Sequence, residues 1–308
     1  MLSLFDSHCD TVCKAYESNM ELFENNLHID LKRMRQFNSM VQIFAVWLDK
    51  KYLCDAFNET NRRLDFYYEQ VKRNENIISH CNKYSDIIEC RKNGKIGGIL
   101  SLEGGEAIEG SLEKLRFFYN RGVRAMTLTW NYKNEIGCGA GVKSGGISEF
   151  GFETIKEMEK LGMIIDVSHL NDDSFWDVAK FASRPFIASH SNSRKKTNVK
   201  RNLTDAQLKA VANSGGAVGI NLCPVFLSRK PRAAINDVLI HIEHMVKVFG
   251  VDYIGFGCDF DGIDDTPAGI DDISCLKSLF ESIEKRFGET AAEKICYKNF
   301  MRVLSKII

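Results

Sequence analysis

The chain has 308 residues, too many for a minimal domain and within the range of one α/β barrel. Apolar residues make up 44% of it, enough for one large core. Its 41 basic and 41 acidic side chains cancel, which argues against nucleic acid or an anionic membrane as a main partner, since both demand a basic face.

The first apolar run, 2–7, leads into Asp6-Ser7-His8-Cys9-Asp10. Side chains alternate along a strand, so His8 and Asp10 project to one face and together suit a divalent metal ion. The plainer alternative makes Asp10 a turn cap and His8 a core histidine. A second strand is expected at 41–47 (VQIFAVW). The stretch 50–95, amphipathic over 56–92, exceeds one plain crossover and is expected to hold a long helix plus extra turns. The run 96–102 (IGGILSL) ends in Glu103. A carboxylate there incurs a large desolvation cost unless it is paired or metal-bound.

A helix is expected at 111–121 and a strand at 123–129 (VRAMTLT). The glycines between Gly137 and Gly146 fit no dinucleotide or phosphate motif; they read as a mobile loop able to cover a substrate. Beyond a helix at 150–161, the run 162–168 (GMIIDVS) ends in His169. Beyond another at 172–181, the run 185–189 (PFIAS) ends in His190. Lys195-Lys196 and Lys200-Arg201 look like a solvated charge run, except that Arg201 comes one loop after His190. From there it can reach over the mouth and hold a carboxylate by two hydrogen bonds. Thr204, with Gln207 three residues on, opens the helix 204–213 as a capping box.

The last elements are a strand at 215–221, a helix at 234–249 and a strand at 252–258, which ends in Asp259. Asp259 and Asp261 share a face. Asp259 lies nearer the strand and is taken as catalytic, and Asp261 as ordering the loop. Gly122, Gly162 and Gly250 stand where helices should stop. His241 and His244, three apart with no HExxH, read as helix-surface or helix-packing residues, and His28 and His80 as surface residues.

Eight strands alternating with helices is the count of a closed (β/α)8 barrel, here one domain over 1–308. In that fold chemistry sits at the C-terminal strand ends, where every candidate ligand falls. The ten cysteines are scattered, with no CxxC pair, and read as reduced core residues. Cys9 and Cys258 flank candidate ligands and are soft enough for zinc. With no room for a leader before the first strand and no apolar run near the ~18 residues of a membrane span, the expectation is a cytoplasmic protein.

Three histidines and three carboxylates exceed the three protein ligands of one catalytic zinc. Two divalent ions about 3.5 Å apart repel by roughly 20 kcal/mol at an effective dielectric near 20, so something negative must lie between them. Glu103, whose two oxygens can each take one ion, suits that place together with a bridging hydroxide.

These residues resemble the membrane dipeptidase (renal dipeptidase) family of amidohydrolase-like barrels. The likeness spans nearly the whole chain: DSHCD, SLEGGEAI, TLTWN, SGGISEFGFETIKEMEKLGMIIDVSH, ASHSNSR with KRNLTD, and GFGCDFDG. It implies an α/β, (β/α)8 TIM barrel of the metal-dependent amidohydrolase type, with two Zn2+ ions, that hydrolyses free dipeptides through a metal-bridging hydroxide. Many members accept a D-residue at the C-terminal position, and the same donors accept other divalent metals. The resemblance gives His8 and Asp10 to one zinc, His169 and His190 to the other, and Glu103 to both. It assigns Arg201 to the substrate carboxylate and Asp259 to the proton. Mammalian members carry a histidine, thought to polarise the scissile carbonyl, where this chain has Trp130; Trp130 and Asn131 are the substrate-side groups there. The family also implies a homodimer. Two other functions compete: a hydrolase of the same barrel class acting on cyclic amides, lactones or phosphoesters, and a non-catalytic metal-binding scaffold.

Overall fold

The computed structural model describes residues 2–308. Its strands are β1 (Ser3–Cys9), β2 (Ser39–Trp47), β3 (Ile78–His80), β4 (Ile96–Glu103), β5 (Val123–Thr127), β6 (Ile164–Asp166), β7 (Val218–Ile220) and β8 (Ile254–Phe256). All named pairings are parallel, in the order β6-β5-β4-β2-β1-β8-β7. The ring closes through residues 187 and 188. Ile187 bridges to Asp166 of β6, and Ala188 bridges to Val218 of β7. Buried on both faces, these strands carry near-continuous apolar runs, as parallel barrel strands require.

The expected strand at 185–189 is therefore present only as two bridged residues, and the expected strand at 252–258 shortens to Ile254–Phe256. The stretch 50–95 does hold a long helix, but beyond it come a strand and a second helix that were not expected. A helix at Ala56–Arg73 and another at Tyr84–Lys92 flank β3. β3 lies beside Ile96, Gly97 and Gly98 at the foot of β4, along the edge that β5 takes from Leu100 upward. Three residues are too few for a periodic signal. His80, read as a surface residue, instead packs its ring against Tyr67 and Tyr68, and burial pushes its pKa down to about 4.

The helices Leu276–Phe287 and Asn299–Ile307 close the chain; neither is among the expected elements. The second plugs the N-terminal end of the barrel. Phe5, Val41, Ile43, Ile99, Ile164 and Ile187 point into that end and pack against Phe300, Met301 and Leu304. Phe300 stacks on Phe5 with ring centroids 5.2 Å apart. A Cβ at Gly255 would come 2.3 Å from the Phe300 ring, so glycine there admits the plug. Among the described residues no helix is long and apolar enough to cross a membrane.

The capping box holds: Thr204 and Gln207 bond reciprocally at the start of the helix Asp205–Asn213. The helix Ile235–Phe249 carries His241 inward, as the packing alternative expects. Its Nδ1 accepts from the Ser193 N–H at 3.1 Å, which leaves the proton on Nε2, 3.0 Å from the Leu227 carbonyl. His241 thereby ties this helix to the loop beyond His190. Burial pushes its pKa down to about 4, below the ordinary histidine value of about 6.5. Between those values the unfolded chain binds the proton and the folded one does not, so this contribution is complete above pH 6.5 and fades as pH falls toward 4. Urea unfolding of the parent and His241→Gln at pH 7 and pH 4.5 should show the parent's advantage shrinking by about 2–3 kcal/mol at the lower pH. A gap that stays constant would mean that the ring is not held neutral.

Candidate active site

At the C-terminal end of the barrel a cavity of about 470 Å³ is lined by Asp10, Glu103, Trp130, Asn131, His169, Arg201 and Asp259 among others. His8 and His190 lie beneath it, fully buried. The structure thus gathers all the expected site residues at one place.

β1 reaches this place by a device that strand periodicity alone does not reveal. Phe5 points into the barrel, so strict alternation would turn His8 outward. Between Asp6 and Cys9 the register against β2 slips by one residue. Such a bulge re-aims the side chains beyond it, and both His8 and Asp10 face the cavity. Asp6 braces the bulge: its Oδ1 accepts from the Cys258 N–H at 2.8 Å and from the His8 N–H at 3.4 Å. Asp6 is a functional neighbour to which sequence reasoning gave no role; its place just before the histidine was the available signal.

Glu103 stands between two sets of donors. Its Oε2 lies 3.4 Å from His8 Nε2, which is itself 3.3 Å from Asp10 Oδ2. Its Oε1 lies 2.9 Å from His169 Nε2 and 3.6 Å from His190 Nε2. The two Nε2 atoms face each other at 2.8 Å, and their outer nitrogens are fixed. His169 Nδ1 donates to Asn131 Oδ1 at 2.9 Å. His190 Nδ1 donates to Ser189 Oγ at 2.7 Å, and that hydroxyl donates to Asp166 Oδ2 at 2.5 Å. Both imidazoles therefore present bare Nε2 lone pairs to the same space, as a metal-ligating histidine does when its other nitrogen is held by a neighbour.

His8 Nε2 and Asp10 Oδ1 are buried without a hydrogen-bond partner. Three sets of donor atoms converge closely enough to hold an ion: His8, Asp10 and Glu103; Glu103, His169 and His190; and His8, His190 and Asp259. Imidazole and carboxylate in this mixture suit zinc and similar divalent ions. Cys9 and Cys258 belong to none of the three sets.

Burial and mutual charge set how these donors titrate. Burial, then the Asp10 charge, pushes the Glu103 pKa up to about 8. Burial holds His169 and His190 well below the usual histidine range, helped by the positive charges of His8 and Arg201. At His8 burial opposes the cation, but Glu103 and Asp10 outweigh it and hold the pKa well above the ordinary value.

Asp259 sits in the left-handed region at φ 62°. Its Oδ2 accepts from Asn221 Nδ2 at 2.8 Å, and its Oδ1 is 3.8 Å from His8 Nε2. Burial raises its pKa to about 6. Asp261 also lines the cavity, but its carboxylate is committed to the loop, accepting from the Thr11 hydroxyl at 2.5 Å and the His28 N–H at 2.7 Å. His28, expected at the surface, returns a bond by accepting from the Asp261 N–H at 3.0 Å. Arg201 leaves the charge run around it and lies over the Phe226 ring, with Nη2 3.3 Å from the His190 carbonyl. The glycine-rich segment does not line the cavity. Backbone bonds from Gly139 to Tyr132, Ala140 to His169 and Gly141 to Asn131 pin it beneath the mouth. There it buttresses Trp130 and Asn131, and a Cβ on Gly139 would come 1.9 Å from the Trp130 carbonyl.

Comparison with known proteins agrees with this geometry. A metallo peptidase of Rhodobacter sphaeroides, solved with a phosphinate mimic of the dipeptide L-Ala-D-Ala, matches with a TM-score of 0.93 at 26% identity, over 100% of this chain and 99% of its own. The dipeptidase AC, a metallo peptidase of family M19, matches at 0.93 and 27% identity, over 99% and 98%. An uncharacterized dipeptidase of Schizosaccharomyces pombe is 34% identical over 307 residues, which cover 92% of this chain and 74% of that protein. The model of the membrane dipeptidases matches residues 1–308. The chain belongs to the membrane dipeptidase family, peptidase family M19.

Proposed function

We propose that the protein hydrolyses the peptide bond of free dipeptides with two divalent ions, zinc by preference, held across Glu103. The carrying observation is the split carboxylate: Oε2 faces His8 and Asp10, and Oε1 faces His169 and His190. His8, Asp10 and Oε2 would hold one ion, and His169, His190 and Oε1 the other. Bound there, such a pair would supply Lewis acidity and lower the pKa of water toward neutrality.

The chain's own groups do the rest. The Arg201 guanidinium, at the cavity wall, pairs with the substrate's terminal carboxylate by parallel hydrogen bonds. That pairing limits length at the carboxyl end and disfavours cyclic substrates, which have no such group. Asp259 keeps Oδ2 on Asn221 and uses Oδ1 to take a proton from the attacking water and return it to the leaving amine, first as base and then as acid. Dipeptides ending in a D-residue fall within the same scheme, since Arg201 reads the carboxylate and not the side chain beside it.

Elemental analysis of zinc-reconstituted protein should plateau near two ions per chain, and Glu103→Gln should lose about one ion together with turnover. A fully active parent saturating at a single ion would refute the paired site. Arg201→Met should raise KM for free dipeptides far more than it lowers kcat, while amidated dipeptides, poor for the parent, should change little. Equal turnover of free and amidated dipeptides by the parent would remove Arg201 from that role. Asp259→Asn should retain both ions and the parent melting temperature but lose about 10³–10⁴ in kcat. Loss of metal along with rate would make Asp259 a ligand, a role open to it through its set with His8 and His190.

A further inference from the structure

Two tryptophans flank Glu103 at the mouth. Trp47 ends β2 and Trp130 lies just beyond β5, on either side of β4. Their ring centroids are 5.2 Å apart, and both rings line the cavity. Trp130 in turn lies 6.1 Å from the His169 ring in a stacked orientation and 5.4 Å from Tyr132. The backbone that carries both indoles is tied from behind. Gly139 and Gly141 bring the pinned loop onto residues 130–132, and the Trp47 backbone is tied to Cys13 through Sγ at 3.3 Å. The result is an aromatic wall, half-buried and open to the cavity. Neither the metal donors nor the proton-transfer scheme uses it.

The order of elements around the ring places this wall. Trp47 ends the second of eight positions. Arg201 belongs to the loop after the sixth, that of residues 187 and 188, diametrically across the barrel. A dipeptide held at Arg201 by its carboxylate, with its peptide carbonyl above Glu103, therefore reaches the wall with its amino-terminal residue. The carboxyl-terminal side chain falls instead near Val225 and Phe226, close to Arg201. From this juxtaposition we infer that Trp47 and Trp130 form a specificity pocket for the amino-terminal side chain, favouring dipeptides that begin with a large apolar or aromatic residue. The inference rests on the dipeptidase reading above and adds the substrate class to it.

Aromatic pairs prefer offset or edge-on packing with centroids 4.5–7 Å apart, and the existing indole pair offers both a face and an edge to a third ring. Burying a phenylalanine side chain contributes about 1.5–3 kcal/mol, which corresponds to roughly 10- to 150-fold in kcat/KM.

The test compares Phe-Gly, Leu-Gly, Ala-Gly, Gly-Gly and Gly-Phe on the zinc-loaded parent, Trp47→Ala and Trp47→Phe. The parent should favour Phe-Gly over Gly-Gly by tenfold or more. Trp47→Ala should reduce that ratio at least fivefold, Trp47→Phe should restore most of it, and the ratio of Gly-Phe to Gly-Gly should move less than twofold in either variant. Ratios within one protein are insensitive to the amount of folded enzyme, so a loss of stability alone would not mimic this pattern. A parent that hydrolyses dipeptides without an amino-terminal preference, or an unchanged ratio in Trp47→Ala, overturns the pocket and leaves the dipeptidase reading intact. No hydrolysis of any dipeptide by protein shown to carry metal overturns both.

Discussion

Burying several ionisable groups that repel one another is the constraint from which the mouth of this barrel is built. Glu103, Asp10 and Asp259 press negative charge together, and the Nε2 atoms of His169 and His190 meet at 2.8 Å. Left to themselves these side chains would swing apart. A second set of contacts prevents it: Asp6 at His8, Asn131 at His169, Ser189 and Asp166 at His190, and Asn221 at Asp259. Asp6 holds the backbone at His8, and the other neighbours each fix a tautomer or an oxygen, so the atoms left free point inward. Asp166 shows how far this goes, for it also accepts from the Thr127 hydroxyl and from the Ser168 and Ser189 amides.

Backbone conformation serves the same end. His169, Asp259 and Asp261 all have φ between 62° and 69°, a region that costs an L-residue roughly 1–2 kcal/mol. Strain of this kind persists where the surroundings over-determine it. Here it turns side chains sharply at the strand ends, so that a histidine and two aspartates leave their strands at angles ordinary β geometry would not allow. Stability is spent for position at the mouth and recovered in the apolar layers below.

Much of the mouth was legible in the sequence because the signal was repetitive. Buried apolar runs ending in His or a carboxylate stand out even when each pair alone is weak, and His169 and His190 come directly after theirs. The rest was hidden for physical reasons. β3 is three residues long and carries no period. The bulge in β1 is a property of pairing with β2, not of local composition. His241 stays undecided between surface and packing in the sequence, because a helix shows its buried face only through its packing partners. The plugging helix Asn299–Ile307 is amphipathic, but no strand comes after it to suggest a crossover. Trp47 was visible as the last letter of an apolar run, and only the order of strands reveals that it stands across the ring from the loop that carries Arg201.

That plug also ties folding to the order of synthesis. Phe5 belongs to the first strand made, and its stacking partner Phe300 comes from the last helix. Loop closure between them spans nearly the whole chain, and the low-lying residues of β1, β2 and β4 have no cover until it occurs. A nascent or truncated barrel lacking residues 299–307 would present a ring of Phe, Val and Ile side chains to solvent. Such exposed apolar surface favours aggregation, so trimming the C-terminus would cost solubility through the same ring contact that seals the mature core.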